Sequence, residues 1–342
     1  MSAHGTSTHH PDSLIYLCGE EVRQACAEID PLACMHETLV AHAEGKTILP
    51  PEAYLGWEPP GGGEARSITM PGLVNGGLTA VGTKVINANP GNVGHGLPRA
   101  SGLTVLFDPL TARPLCVMEG AHISALRTAA VSVLAVRRLA RTGARAAALY
   151  GAGVIAREHA LMLARRLPGL EEIRVYDEVP GRVADFERDT AEGLAAHGVK
   201  VVAARDARTA AHEADVVVAC TSTRTGYIER SWLTRGALAV NVSLDDLTED
   251  VLLGADKLYV DDWDLIRDDP HRLLGHLLRE GRVRQRGTAT LGELLGGVRP
   301  GRESDDELIV VNPFGLAVED IALAHRVFRI ARHRGLGLAL PR

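Results

Sequence analysis

Lysine is nearly missing from this chain. Of 37 basic residues among 342, only Lys46, Lys84, Lys200 and Lys257 are lysines, and the rest are arginines. Arginine stays charged and grips carboxylates with a planar fork, whereas lysine is a titratable point amine. A lysine kept against such a bias is a candidate for a place where that amine is wanted. Aromatic residues are also scarce, three Trp, six Tyr and four Phe, too few for a base-stacking platform. The formal charge of −6 lacks the concentrated basic face of a nucleic-acid binder. No run of about 18 apolar residues occurs, so no membrane span is expected. Met1 to Ser13 has no apolar stretch of signal-peptide length. Cys18, Cys26, Cys34, Cys116 and Cys220 are odd in number and contain no Cys-x-x-Cys pair, which points to a reduced cytoplasm. No metal site is expected, and His4, His9 and His10 read as part of a disordered tail. Cys26 and Cys34 fall on what reads as one amphipathic N-terminal helix.

What is present is apolar mass. Hydrophobic residues make up 46% of the chain, enough for a large core, and the length suits two domains. Two textures alternate along it. From Leu14 to about Asp108, turn signals at Pro50-Pro51, Pro59-Pro60, Gly61-Gly62-Gly63, Pro71-Gly72 and Gly76-Gly77 separate short β-like runs such as Leu78–Val85 and Leu103–Phe107. That predicts a helix followed by a sheet with hairpin connections. A long helix is predicted over 121–141 from Ile123, Leu126, Ala130, Leu134 and Leu139 near helical spacing.

After Gly143 the pattern is regular. Strands are predicted at 146–150, 173–176, 199–203, 216–219, 237–242, 257–260 and 308–311, with helices at 154–167 and about 183–196 and a closing helix at 314–333. Strands alternating with helices imply an α/β fold with a doubly wound parallel sheet.

Tyr150-Gly151-Ala152-Gly153-Val154-Ile155-Ala156 follows the first of these strands and opens a helix. A Gly-x-Gly-x-x-Ala run is weak alone, but the strand–turn–helix context suits a dinucleotide pyrophosphate. Gly151 permits the tight turn, Gly153 admits the phosphate to the backbone, and Ala156 keeps helix and sheet close. Asp177 ends the next strand, where an acid binds the ribose hydroxyls. Followed by Glu178 rather than Arg, it favours NAD over NADP. Cys220-Thr221-Ser222 and Val242-Ser243-Leu244 lie at further strand ends on the same predicted edge, as does Asp246 just beyond. The first part of the chain holds Arg66, Lys84, Arg99 and, in the long helix, Arg127. Their Gly-rich or apolar surroundings suggest a pocket for a small-molecule substrate with several carboxylates.

The chain resembles the ornithine cyclodeaminase/mu-crystallin family from about Leu14 to the C-terminus. The likeness is carried by Arg66 before Met70-Pro71, Lys84 with Asn87 and Pro90, and Leu126-Arg127-Thr128-Ala129-Ala130. The Gly151-Ala152-Gly153 turn, Asn241 with Asp246, and Phe314-Gly315-Leu316-Ala317-Val318-Glu319-Asp320 complete it. A finer likeness, to the branch acting on a glutamate–diaminopropionate conjugate, lies in Arg99-Ala100-Ser101-Gly102, Tyr259-Val260-Asp261-Asp262-Trp263 and 300–307.

The resemblance implies a Rossmann domain at 131–313 and a discontinuous substrate and dimerisation domain at 14–130 and 314–342. It implies an NAD-dependent oxidoreductase with Lys84 and Asp246 as catalytic groups. Arg66, Met70, Arg99, Arg127 and Phe314 would bind substrate. Arg127 would also reach the cofactor, beside Gly151, Ala152, Gly153, Val154, Ile155, Asp177, Cys220, Thr221, Ser222, Val242, Ser243 and Leu244. A homodimer, and a functional partner in a pyridoxal-phosphate-dependent synthase, are further implications. Leu247-Thr248-Glu249-Asp250 after Asp246, and an arginine at Arg99, depart from the ornithine-acting branch. Ketimine reduction, amino-acid dehydrogenation, cyclodeamination or a crystallin-like dinucleotide binder remain the rival readings.

Overall fold

A computed structural model describes residues 13–60, 62–283 and 287–341. His4, His9, His10 and Gly61 lie outside the described residues. The chain divides into two compact units, Met1–Arg127 with Leu316–Arg342, and Thr128–Gly315. The divisions fall at 127/128 and 315/316, against 130/131 and 313/314 expected from the sequence.

The first unit opens with β1 (Leu14–Leu17), α1 (Gly19–Cys26) and α2 (Pro31–Ala43). The single N-terminal helix expected around Cys26 and Cys34 is therefore two. Asp30 caps α2, accepting the Leu32 N–H at 3.0 Å, and Pro31 sits in the first turn, where it needs no donor. Strands β2 (Thr47–Ile48), β3 (Ala53–Trp57), β4 (Ala65–Asn75), β5 (Thr79–Ala88), β6 (Ala100–Phe107) and β7 (Pro114–Glu119) follow. The expected hairpins are present, since β4 to β7 pair antiparallel in chain order. Pro71-Gly72 is not a turn but lies inside β4. Pro71 falls between the stretches that pair β3 and β2 on the outer edge of β4, an interval where a missing donor costs little.

Helix α3 (Ala121–Leu139) begins in the first unit and ends in the second. The second unit continues with β8 (Ala146–Tyr150), α4 (Val154–Arg166), β9 (Glu172–Tyr176), α5 (Arg182–Ala195), β10 (Lys200–Ala203), α6 (Ala207–Ala211), β11 (Val216–Ala219) and β12 (Leu238–Asn241). Then come α7 (Glu249–Gly254), β13 (Lys257–Val260), α8 (Trp263–Asp268), α9 (Leu273–Arg279), β14 (Thr288–Thr290), α10 (Leu291–Leu295) and β15 (Ile309–Val311). All eight strands are parallel, in the order β10-β9-β8-β11-β12-β15-β13-β14. The order reverses between β8 and β11, the switch point at which a doubly wound sheet binds ligands. Central strands such as Val216–Ala219 and Leu238–Asn241 are buried throughout, as a sheet covered on both faces requires.

The chain returns to the first unit as α11 (Ala317–Arg334) and β16 (Leu338–Leu340). The last helix thus starts at Ala317 rather than the expected Phe314. The N–H groups of Phe314 and Gly315 are taken by the Asp261 carboxylate at 2.7 and 2.6 Å, and Gly315 has a φ of 93°. Gly315 therefore cannot belong to a right-handed helical turn, and the helix begins beyond it. Helix α11 lies across β4, β5 and β6. Gly72 makes that approach possible, because a Cβ there would meet Val318 and Ile321 at 3.1 and 3.2 Å.

No helix among the described residues is long and apolar enough to cross a membrane. The five cysteines form no disulfide.

At Gly82 a Cβ would stand 2.5 Å from the Val105 carbonyl oxygen, a backbone atom that cannot step aside. Gly82→Ala is expected to cost about 1–3 kcal/mol by overpacking, read as a lower urea midpoint. Gly77→Ala, where nothing lies within 4 Å, should stay within about 0.5 kcal/mol of the parent.

Candidate functional site

In the first unit, sheet register decides which side chains share a face. Residues directly opposite in antiparallel strands point the same way. Met70 stands opposite Lys84, Lys84 opposite Thr104, and Thr104 opposite Met118. Gly72 and Gly82, one pair further along on the same face, lie against α11, so this row faces that helix. Arg66, opposite Ala88, is on the same face, four residues before Met70 toward the start of β4. It is half-buried, whereas Met70 is buried. Arg99 is exposed and immediately precedes Ala100, the residue that completes the Arg66 row.

Lys84, only 2% exposed, belongs to a cluster with a second cation, Arg127, and two fully buried carboxylates, Glu319 and Asp320. Its Nζ donates to Asp320 Oδ2 at 2.8 Å. The same oxygen lies 3.2 Å from Arg127 Nε, and Arg127 donates from its terminal nitrogen to Glu319 Oε2 at 2.7 Å. Two cations and two anions are therefore interleaved under α11. Burial lowers the Lys84 pKa, Asp320 opposes that shift, and Arg127 adds to it. Of the four cations expected at the substrate pocket, Lys84 and Arg127 are paired with buried carboxylates. Glu319 and Asp320 were visible in the sequence only as part of a motif, because nothing local reveals their ion-pair partners.

The second unit holds the glycine-rich turn between β8 and α4. Gly151 has a φ of 89°, and a Cβ on it would press within 3.0 Å of the Cys220 carbonyl, where the ends of β8 and β11 converge. Gly153 caps α4 with no side-chain hydrogen bond, and nothing lies within 4 Å of the Cβ it lacks. The first N–H groups of α4, from Val154 and Ile155, are thus open to an anion, and the turn fits a pyrophosphate. Asp177 accepts the Ala152 and Val179 N–H groups, each at 2.9 Å, so it braces the turn itself. Its two oxygens retain acceptor capacity for ribose hydroxyls.

Asp246 is completely buried just beyond β12. The Thr221 hydroxyl donates to its Oδ1 at 2.6 Å, the Ser243 hydroxyl donates to Oδ2, and the Tyr227 phenol is a third partner. Burial pushes the Asp246 carboxyl up to about 6, the hydroxyls hold it down, and neighbouring Asp245 raises it. Thr221 and Ser243, expected at the cofactor, therefore direct their hydroxyls to this carboxylate. Tyr227 carried no signal in the sequence, since only the loop after β11 brings it to Asp246.

Around this group, Asn241 donates to the carbonyl of Leu244 at 3.0 Å, fixing the turn through Val242 and Ser243. Ser222 is exposed. Burial raises the Cys220 thiol, which makes it a poor nucleophile. Phe314 lies in this unit, its ring 5.0 Å from the Arg272 guanidinium carbon.

Two of the segments that carried the finer likeness bind each other. The Tyr259 hydroxyl donates to the Pro300 carbonyl at 2.7 Å, and Lys257 pairs with Glu303 and Glu307 at 2.6 and 3.1 Å. They are a packing signature of the second unit. Among the described residues no cluster of His, Cys, Asp and Glu could hold a metal ion.

Residues 17–334 match the model of the ornithine cyclodeaminase/mu-crystallin family. The chain is 34% identical to N-((2S)-2-amino-2-carboxyethyl)-L-glutamate dehydrogenase of Staphylococcus aureus, over 96% of this chain and 98% of that protein. The crystal structure of CmnK superposes with a TM-score of 0.89 at 39% identity, covering 96% and 98% of the two chains. An archaeal alanine dehydrogenase dimer with bound NAD gives 0.82 at 25% identity, covering 96% and 99%. The chain belongs to the ornithine cyclodeaminase/mu-crystallin family.

Proposed function

We propose that the protein is an NAD-dependent oxidoreductase acting on a CH–NH bond, and that its substrate is N-(2-amino-2-carboxyethyl)-L-glutamate. The products are 2-oxoglutarate and L-2,3-diaminopropionate, the latter feeding siderophore or peptide natural-product synthesis. The observation that carries the reading is the pairing of Lys84 and Arg127 on one carboxylate oxygen, with Arg66 on the same sheet face as Lys84. A substrate with three carboxylates needs several cations held in fixed positions, and this cluster supplies them. The likeness to the Staphylococcus aureus dehydrogenase across nearly both full lengths supports the choice of substrate.

The second unit binds the cofactor through Gly151, Ala152, Gly153, Val154 and Ile155, with Asp177 toward the ribose. Bound NAD supplies the hydride acceptor. In the first unit, Arg66, Lys84, Arg99 and Arg127 hold the substrate carboxylates. Hydride leaves the glutamate Cα and the secondary amine loses its proton, giving an imine. Water adds to the imine carbon, the C–N bond breaks, and the amine departs with a proton. Asp246 accepts and returns the proton in these steps, a role suited to a carboxyl with a pKa of about 6. A pyridoxal-phosphate-dependent synthase fits as the source of the substrate.

The first unit is also the proposed dimerisation unit. On the face of its sheet away from α11, Leu73, Val81, Val85, Leu103, Val105, Phe107 and Val117 are apolar and only partly covered or exposed. A sheet face of this kind is stabilised by packing against another sheet. A second copy of the chain supplies one.

A coupled assay is expected to release one NADH per 2-oxoglutarate; cyclodeamination would show no net NADH. Because an ionised Asp246 is the base, kcat/KM should fall as pH drops through about 6. Asp246→Asn should lower turnover by about 10²-fold or more while NAD affinity stays within about twofold. Equal losses in both would remove Asp246 from catalysis. Leu103→Glu should convert the dimer to the one-chain mass by sedimentation, with circular dichroism unchanged.

A further inference from the structure

Lys84 sits on a central strand of its sheet beneath α11, and its neighbours in the row, Met70, Thr104 and Met118, carry no charge. Left there alone, a buried amine discards its proton, because burial penalises only the charged form. The charged groups that act on it are Asp320 in the first turn of α11, Arg127 on α3 and Glu52 ahead of β3. Glu319, beside Asp320, pairs with Arg127, and Arg66 stands on β4 along the same face as Lys84. Asp320 accepts a hydrogen bond from Nζ at 2.8 Å.

Asp320 is itself 0% exposed. It stands in the N-terminal turn of α11, beside Glu319. Its Oδ2 faces both Lys84 and Arg127, while Oδ1 has no hydrogen-bond partner among the described residues. An ammonium has three donors, and Asp320 occupies one.

We infer that Asp320 is the positioning residue for Lys84, holding the ammonium in register and protonated so that its remaining donors meet a substrate carboxylate. The inference rests on the proposed role of Lys84 as a substrate cation. Asp320 touches no reacting atom and acts through Lys84. Glu319 plays the parallel part for Arg127, an always-charged group that needs orientation but no protection of its proton.

With only four lysines in the chain, the side-chain signals of lysine-labelled protein can be followed one by one by NMR. The Lys84 signal is assigned by its loss in Lys84→Arg. In Asp320→Asn, the Lys84 titration midpoint is expected to fall by about 1–3 pH units. The alkaline limb of kcat/KM should fall with it, since the cation is lost at lower pH. KM for the substrate should rise roughly tenfold or more, with NAD affinity unchanged. Asp320→Glu, which keeps the charge, should restore the midpoint but not the full KM. Should the Asn variant fail to fold, the Glu variant is the test: a retained midpoint with raised KM supports the inference, and unchanged KM overturns it. An unmoved midpoint in a folded Asp320→Asn protein also overturns it. The titration requires no substrate. A shifted midpoint in a protein that does not oxidise the glutamate conjugate supports the effect of Asp320 on Lys84 and sinks the substrate reading instead.

Discussion

A lysine under the helix that covers a sheet must be met by a carboxylate or lose its charge. That constraint organises the first unit. It requires α11 to cross β4 to β6 so that its first turn, bearing Glu319 and Asp320, lies over the row containing Lys84. It also brings Arg127 from α3 to the same carboxylate oxygen. Close packing follows, because a helix can lie so near a sheet only where glycine replaces a side chain, as at Gly72. Removing one partner from such a set leaves a buried charge uncompensated, typically at a cost of about 3–5 kcal/mol. The cluster is therefore a device for keeping cations charged and immobile, and it adds little to stability.

The second unit treats its buried carboxylate differently. Among the described residues Asp246 has no cation against it. Three hydroxyls, from Thr221, Ser243 and Tyr227, surround it instead. A cation would pull the carboxyl far down the pH scale. Hydroxyls satisfy its lone pairs without doing so, and burial then carries it to about 6. A group poised there can take and return a proton near neutral pH, which a salt-bridged aspartate cannot. The two units thus use one residue type for opposite ends: Asp320 to hold an ammonium in place, and Asp246 to exchange a proton.

Much of this was legible in order along the chain. Strands at 146–150, 216–219 and 257–260 were read from apolar runs to the residue, because a sheet buried on both faces demands continuous Val, Leu and Ala. The Gly151 turn was readable because only glycine adopts its backbone conformation beside the Cys220 carbonyl. The helix boundary at Asp30-Pro31 was missed although the capping signal was present, since the apolar pattern on either side masked it. Pro71 misled because a proline inside a strand is tolerated only where the adjoining strand is interrupted. That is a property of the neighbours and not of the residue.

The scarcity of lysine illustrates the division. Sequence alone singled out four amines in an arginine-rich chain and, by resemblance, put Lys84 in the substrate site. It assigned Lys257 nothing, yet both are buried and ion-paired, one by Asp320 and the other by Glu303 and Glu307, while Lys46 and Lys200 are exposed. Composition, periodicity and the glycine spacing determined the fold class and the cofactor turn, because those depend on residues close together in the chain. Which carboxylate meets which cation was decided only by the tertiary structure. Lys84 and Asp320 are separated by 236 positions, and no local propensity encodes a contact between them.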